Sequence, residues 1–149
     1  SDQDSFELKI YGSLADPAEK AYFDSLGLER IKNQQWLGTF DLGQMNEVLQ
    51  GIDLLVVPSL WQENCPLMPK YALLTGTRLL ISDQPGILRK TEAEGITLFK
   101  SGDALSLRQA IESLLRSKEW MRKLEPKPGL VVRMKDHAEM VKKIYLEEN

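Results

Sequence analysis

The stretch from Leu54 to Leu67 constrains the fold more than any other part of the chain. It opens with a short apolar run, Leu-Leu-Val-Val, that ends at Pro58 and is typical of a strand buried on both faces of a parallel sheet. A polar loop follows, and Pro66 stands where a helix would begin, because the first helical turn leaves the N–H that proline lacks unpaired. The stretch therefore predicts a strand, a loop and a helix N-terminus.

This arrangement also predicts where ligands bind. In an open α/β sheet, ligands lie at the carboxyl ends of the strands. A helix start adds free backbone N–H groups and the positive end of a dipole, which both favour a phosphate. We therefore expect the functional site where the helix near Pro66 begins.

Hydrophobic periodicity predicts five strands separated by helices. The strands are Phe6–Tyr11, Gln34–Leu37, Leu54–Pro58, Arg78–Ser82 and Ile96–Phe99. Aspartates at helix starts and glycines at helix ends mark the helices between them; these residues are Asp16, Asp41, Asp103, Gly27 and Gly76. A turn at Gln84-Pro85-Gly86 should lead into a short helix, and a last helix should lie within residues 130–149.

Strands that alternate with helices imply a parallel sheet with helices on both faces. With 149 residues, 42% of them hydrophobic, the chain is long enough for one domain with its own core. We therefore expect residues 1–149 to form a single three-layer α/β domain around a doubly wound, five-stranded parallel sheet.

Composition also narrows the function classes. A net charge of −3 without a basic stripe argues against nucleic-acid binding. The only cysteine, Cys65, excludes an internal disulfide and a cysteine-based metal cluster. The sequence shows no membrane-length apolar run and no signal-peptide pattern, so we expect a cytoplasmic protein. The basic cluster between Arg116 and Lys127 is expected to be a solvated face, with a salt-sensitive membrane surface as the alternative.

Several motifs, in order along nearly the whole chain, carry a family resemblance. They are Ile10-Tyr11-Gly12, Trp36-Leu37-Gly38-Thr39-Phe40, Val57 to Leu67, Thr75-Gly76-Thr77, Ser82-Asp83, Pro85-Gly86 and Leu98-Phe99 to Gly102-Asp103. In these motifs the chain resembles the C-terminal, nucleotide-sugar-binding domain of the group 1 retaining glycosyltransferases, which have the GT-B fold.

The resemblance implies sugar transfer from a nucleoside diphosphate sugar, with retention, without a metal and without a cofactor other than that substrate. It implies that Glu63, the catalytic candidate, contacts the donor sugar. It also implies that backbone N–H groups near Cys65 to Met68 bind the donor's diphosphate. The donor-binding residues predicted in this way are Gly12, Ser13, Thr39, Phe40, Glu63, Asn64, Cys65, Pro66, Leu67, Met68 and Tyr71. A solvated loop carboxylate or a helix cap is the alternative role for Glu63.

The chain departs from the family at this site. The family motif has a second glutamate, which binds the ribose hydroxyls, and it should stand at position 71, where this chain has Tyr71. A tyrosine cannot accept hydrogen bonds from two hydroxyls as a carboxylate does, so donor affinity should fall. Alternatively, Tyr71 is a half-buried core residue. Further departures are Pro69, Lys70, Arg78 and Arg89.

A second departure concerns topology. The family's domain begins with a strand and helix that these residues lack, and that strand is central in the family order 3-2-1-4-5-6. If the flanking strands close up, the order becomes 2-1-3-4-5, as in flavodoxin-like sheets; alternatively, a partner segment supplies the central strand. Closure is favoured because an open gap would leave two unpaired edges.

The resemblance also places the acceptor site and half of the donor cleft in an N-terminal GT-B domain that these residues lack. The isolated chain is therefore expected to be inactive. The alternative is a degenerate or engineered non-catalytic α/β domain kept for folding or for binding a partner.

Overall fold

The computed structural model describes residues 6–62, 66–84, 94–122, 124–126 and 134–147. The chain divides into two compact units, Ser1–Met45 and Asn46–Asn149. Each unit holds its own parallel sheet.

The first unit is a β–α–β arrangement. Strand β1 (Leu8–Tyr11) pairs in parallel with β2 (Gln34–Gly38), and helix α1 (Pro17–Ser25) connects them through a 3-10 turn, Leu28–Arg30. Asp16 caps α1 as predicted, since its carboxylate accepts the Ala18 N–H at 2.7 Å. The Phe23 and Trp36 rings, 4.7 Å apart, pack α1 against β2. None of the side chains described in this unit is fully buried.

The second unit is larger and begins at Asn46, directly after the first. The predicted capping box of Asp41 and Gln44 is present, but it opens a 3-10 turn, Leu42–Gln44, that runs into α2 (Met45–Gln50). The remaining elements are β3 (Leu54–Val57), α3 (Leu67–Thr75), β4 (Arg78–Ser82), β5 (Ile96–Phe99), α4 (Ala104–Ser117), the 3-10 turn Glu119–Met121 and α5 (Met134–Glu147). The strand order is β3-β4-β5, all parallel.

The core of the second unit lies on both faces of β4, whose five residues are all buried. Leu79 packs with Ala72 and Leu73 of α3, and Leu80 packs with Phe99 and with Leu114 of α4. Successive residues of a strand face opposite sides of the sheet, so α3 and α4 cover opposite faces. The expected three-layer arrangement is therefore present in this unit.

The single five-stranded sheet is a wrong prediction. The pairings 2-1 and 3-4-5 of the expected order are found, but in the described part of the chain β1 and β3 do not pair, and the strands form sheets of two and three. Open strand edges cost less in this chain than closure of the sheet would require. Unpaired strand groups cost most when they are shielded from water, whereas β1 and β3 have four residues each and no fully buried side chain.

Most predicted boundaries agree with the structure to within about two residues. The strands Arg78–Ser82 and Ile96–Phe99 are found as predicted, and Gly76 ends α3 in the left-handed conformation. Asp103 caps α4, accepting the Ser106 N–H at 3.0 Å, and this hydrogen bond lowers the pKa of its carboxyl. The predicted turn and short helix after Gln84 lie outside the described residues, and the C-terminal helix is described over 134–147.

Candidate functional site

The candidate residues of the first unit lie where β1 and β2 end. Gly12 continues the pairing, donating its N–H to the Gly38 carbonyl at 2.8 Å. The exposed Ser13 hydroxyl accepts the Ala15 N–H at 3.2 Å, so part of its hydrogen-bonding capacity stabilises the turn. Thr39 is exposed, and the Phe40 ring meets the Tyr11 ring edge-on at 5.2 Å. Parallel strands end at the same edge, so these four candidates share one edge of the first sheet.

The candidate residues of the second unit surround the start of α3. Pro66 is the N-cap rather than the first helical residue, and it is buried. Leu67 and Met68 follow as the first two helical residues, with Leu67 exposed and Met68 half-buried. The helix begins after β3 has ended, so its N-terminus belongs to the carboxyl end of the second sheet, as the sequence predicts.

Two prolines reduce the anion-binding capacity of this helix start. A helix leaves its first four N–H groups unpaired, and in α3 these positions are Pro66, Leu67, Met68 and Pro69. Proline has no N–H, so only Leu67 and Met68 can donate to an anion. The dipole of the nine-residue helix adds its positive end at the same place.

Three candidates directly before this helix, Glu63, Asn64 and Cys65, lie outside the described residues, as does Arg89. Tyr71 lies in the second turn of α3 and is half-buried, which agrees with the alternative of a partly buried helix residue. Its backbone carbonyl accepts the Thr75 hydroxyl at 3.0 Å. Lys70 is likewise half-buried.

Arg78 does not belong to this pocket, contrary to the sequence interpretation. It is the first residue of β4, whereas the candidate site lies at the strand's other end. Its side chain is only 6% exposed, and Nη2 donates to the Arg122 carbonyl at 3.3 Å. Arg78 is therefore a buried structural charge at the amino edge of the sheet.

Three large apolar side chains close in sequence to the start of α3 are exposed. Leu60 is 63% exposed, Trp61 is 76% exposed and Leu67 is 62% exposed. Most of the Trp61 side chain is thus open to solvent rather than packed over core leucines. Its main chain is held by Ser59, whose hydroxyl accepts the Trp61 N–H at 3.4 Å.

A hydroxyl-rich group at the carboxyl edge of the second sheet was not predicted as part of the site. Ser82, Gln84 and Ser101 bond to the backbone at Ser59 and Leu60, just after β3. A pattern in the sequence could have pointed to it, because a serine ends or closely follows each of the three strands. Small hydroxyl residues at strand ends commonly bond to neighbouring backbone groups.

Ion pairs occupy part of the basic cluster near the C-terminus. Arg116 lies 4.0 Å from Glu112, which also accepts a hydrogen bond from Arg108 at 2.8 Å. This hydrogen bond lowers the pKa of Glu112. Arg122 pairs with Glu94. These pairs agree with a solvated, mixed-charge face. Separately, none of the helices described is long and apolar enough to cross a membrane.

The fold defines an α/β protein with parallel strands that alternate with helices. Residues 1–128 match the family model described as glycosyl transferases group 1. The chain belongs to this family, in the part that corresponds to the C-terminal domain of the GT-B fold. No curated protein matches the sequence. The predicted resemblance is confirmed.

Proposed function

We propose that this chain is the donor-binding domain of a glycosyltransferase that uses a nucleoside diphosphate sugar and retains the configuration at the transferred carbon. The observation that carries the proposal is the helix start of α3 at the carboxyl end of β3, in a chain of the group 1 family. The Leu67 and Met68 N–H groups, which have no partner within the helix, and the helix dipole suit the donor's diphosphate.

The chemistry required of this site is stabilisation of negative charge. As the sugar–phosphate bond breaks, charge develops on the leaving diphosphate. Fixed N–H groups at Leu67 and Met68 are oriented before the reaction, so they stabilise that charge without reorganising. Glu63 contacts the donor sugar in this proposal, and Tyr71 replaces the ribose-binding carboxylate with a single hydroxyl. The proposal includes that these 149 residues alone do not turn over, because the acceptor binds to the other GT-B domain.

The test is isothermal titration of the chain with UDP, GDP and ADP. We expect one of the three to bind with a dissociation constant on the order of micromolar to tens of micromolar, since half of the helix's donors are missing. Glu63→Ala should weaken binding of the matching nucleotide sugar by about tenfold. Glu47→Ala is the matched control, because Glu47 is an exposed carboxylate in α2, and it should change nothing. Absence of heat with every nucleotide would contradict the proposal.

A second candidate function is a non-catalytic domain that has lost donor binding. The two prolines at the start of α3 and the half-buried Tyr71 favour it. Tyr71→Glu separates the two functions. Tighter nucleotide binding would indicate an otherwise intact pocket, whereas lower stability without any gain in binding would favour the non-catalytic domain.

A further inference from the structure

Two hydroxyl groups converge on one backbone carbonyl where β3 ends. The Ser82 hydroxyl donates to the Ser59 carbonyl at 2.7 Å, and the Ser101 hydroxyl lies 3.2 Å from the same oxygen. Ser82 is only 1% exposed, so its hydroxyl is sequestered from water and depends on this partner. The main chain at Ser59 is therefore tied to the ends of both β4 and β5.

Gln84 extends this group to the next residue. Its Nε2 donates to the Ser101 hydroxyl at 2.7 Å and to the Leu60 carbonyl at 3.3 Å. One side-chain amide thus joins the loop after β3 to the loop after β5. We call Ser82, Gln84 and Ser101 the strand-end clamp.

The clamp holds the backbone at a position where the sheet ladder provides no hydrogen bond. Pro58 follows β3 and has no N–H, so it cannot donate to a ladder beyond Val57. Hydrogen bonds from residues 23 to 42 positions distant take the place of the ladder at Ser59 and Leu60. Each such bond stabilises the fold only slightly, but together they select one backbone path out of the strand.

We propose that the strand-end clamp positions the donor site: by fixing the backbone at Ser59 and Leu60, it sets the direction in which the chain leaves β3 at the edge of the sheet where α3 begins. This inference rests on the proposed function, because the positioned groups are those assigned to the donor. Ser82, Gln84 and Ser101 are positioning residues that act through the backbone and do not contact the nucleotide. Without them the backbone at Ser59 and Leu60 would be less ordered before ligand binds, and ordering it on binding would weaken affinity.

The experiment compares Gln84→Ala and Ser101→Ala with two controls. Ser101→Thr keeps the hydroxyl. Ser106→Ala removes a hydroxyl at the same edge, one that accepts the Lys100 N–H at 2.9 Å and does not touch the clamp's acceptors. We expect both alanine variants to weaken nucleotide binding by about tenfold, and both controls to stay within about twofold of the parent chain. Circular dichroism should show the same secondary structure in all four variants, and the melting temperatures should stay within several degrees of the parent chain.

Hydrogen exchange of residues 59–62 in the unliganded chain tests the clamp independently of any nucleotide. Gln84→Ala and Ser101→Ala should speed exchange there by about tenfold, with Ser106→Ala unchanged. If the parent chain binds a nucleotide and the alanine variants bind it equally well, the positioning role is wrong. If the parent chain binds none, the proposed function fails, and unchanged exchange in the two alanine variants would then overturn the clamp as well.

Discussion

Arg78 shows at the scale of one residue how a charge can enter the core with no counterion beside it among the described residues. The side chain is 6% exposed, and Nε has no hydrogen-bond partner in the part of the chain that the structure describes. A guanidinium carries five N–H donors, and the single acceptor that the structure shows is the Arg122 carbonyl. Burial of a polar group without a partner costs about 1–3 kcal/mol, so Arg78 is expected to destabilise the second unit relative to an apolar residue.

Arg78→Met should therefore raise the free energy of unfolding by about 1 kcal/mol, because the stem stays packed and the unpaired donor disappears. The measurement is the urea midpoint followed by circular dichroism. Arg116→Met is the matched control, because that arginine is 74% exposed and its loss should stay within about 0.5 kcal/mol. A clear loss of stability in Arg78→Met would mean that Nε has an acceptor after all.

At the scale of elements, the strands and caps of the second unit could be predicted, but the details of the site could not. The strand Arg78–Ser82 could be predicted because an apolar run lies between two turn signals, and all five of its residues are buried in the structure. The cap Asp103 could be predicted because a short acceptor side chain precedes an amphipathic run. The shift of Pro66 from first helical residue to N-cap is too small for periodicity to resolve. The strand-end clamp depends on contacts between distant residues, which local patterns do not encode.

Gly76, between α3 and β4, is required for a second reason besides its left-handed conformation. Its φ is 72°, and an added Cβ would lie 2.3 Å from the Leu124 carbonyl oxygen. Residues 124–126 thus pass directly over this connection. Because the obstacle is backbone rather than the end of a flexible side chain, the chain at Leu124 would have to move.

We expect Gly76→Ala to lower the free energy of unfolding by about 3 kcal/mol or more, of which about 1 kcal/mol reflects the positive φ. Gly102→Ala isolates that smaller part, since Gly102 has a φ of 71° and its nearest neighbour, a Leu60 methyl, is 3.7 Å away. Urea midpoints of both variants give the difference. Equal losses of stability in the two variants would show that the segment at Leu124 moves aside without a free-energy cost.

At the scale of the whole molecule, the two units differ in how well they are buried. β4 is buried along its entire length, whereas β1, β2 and α1 contribute no fully buried side chain. Local opening free energies follow the density of buried apolar contacts, so the two units should not open with the same free energy. A single five-stranded sheet would instead have joined both into one cooperative structure.

Native-state hydrogen exchange measures this difference. Amides of β1 and β2 should exchange at least about 100-fold faster than those of β4, because opening the first unit exposes little apolar surface. β5 is the control, since it also lies at a sheet edge but belongs to the second unit and packs Phe99 into the core. If edge position alone weakened protection, β5 would exchange as fast as β1, and we expect it to be slower. Equal protection of β1 and β4 would contradict two separately stabilised sheets, and it would restore the continuous sheet that the sequence suggested.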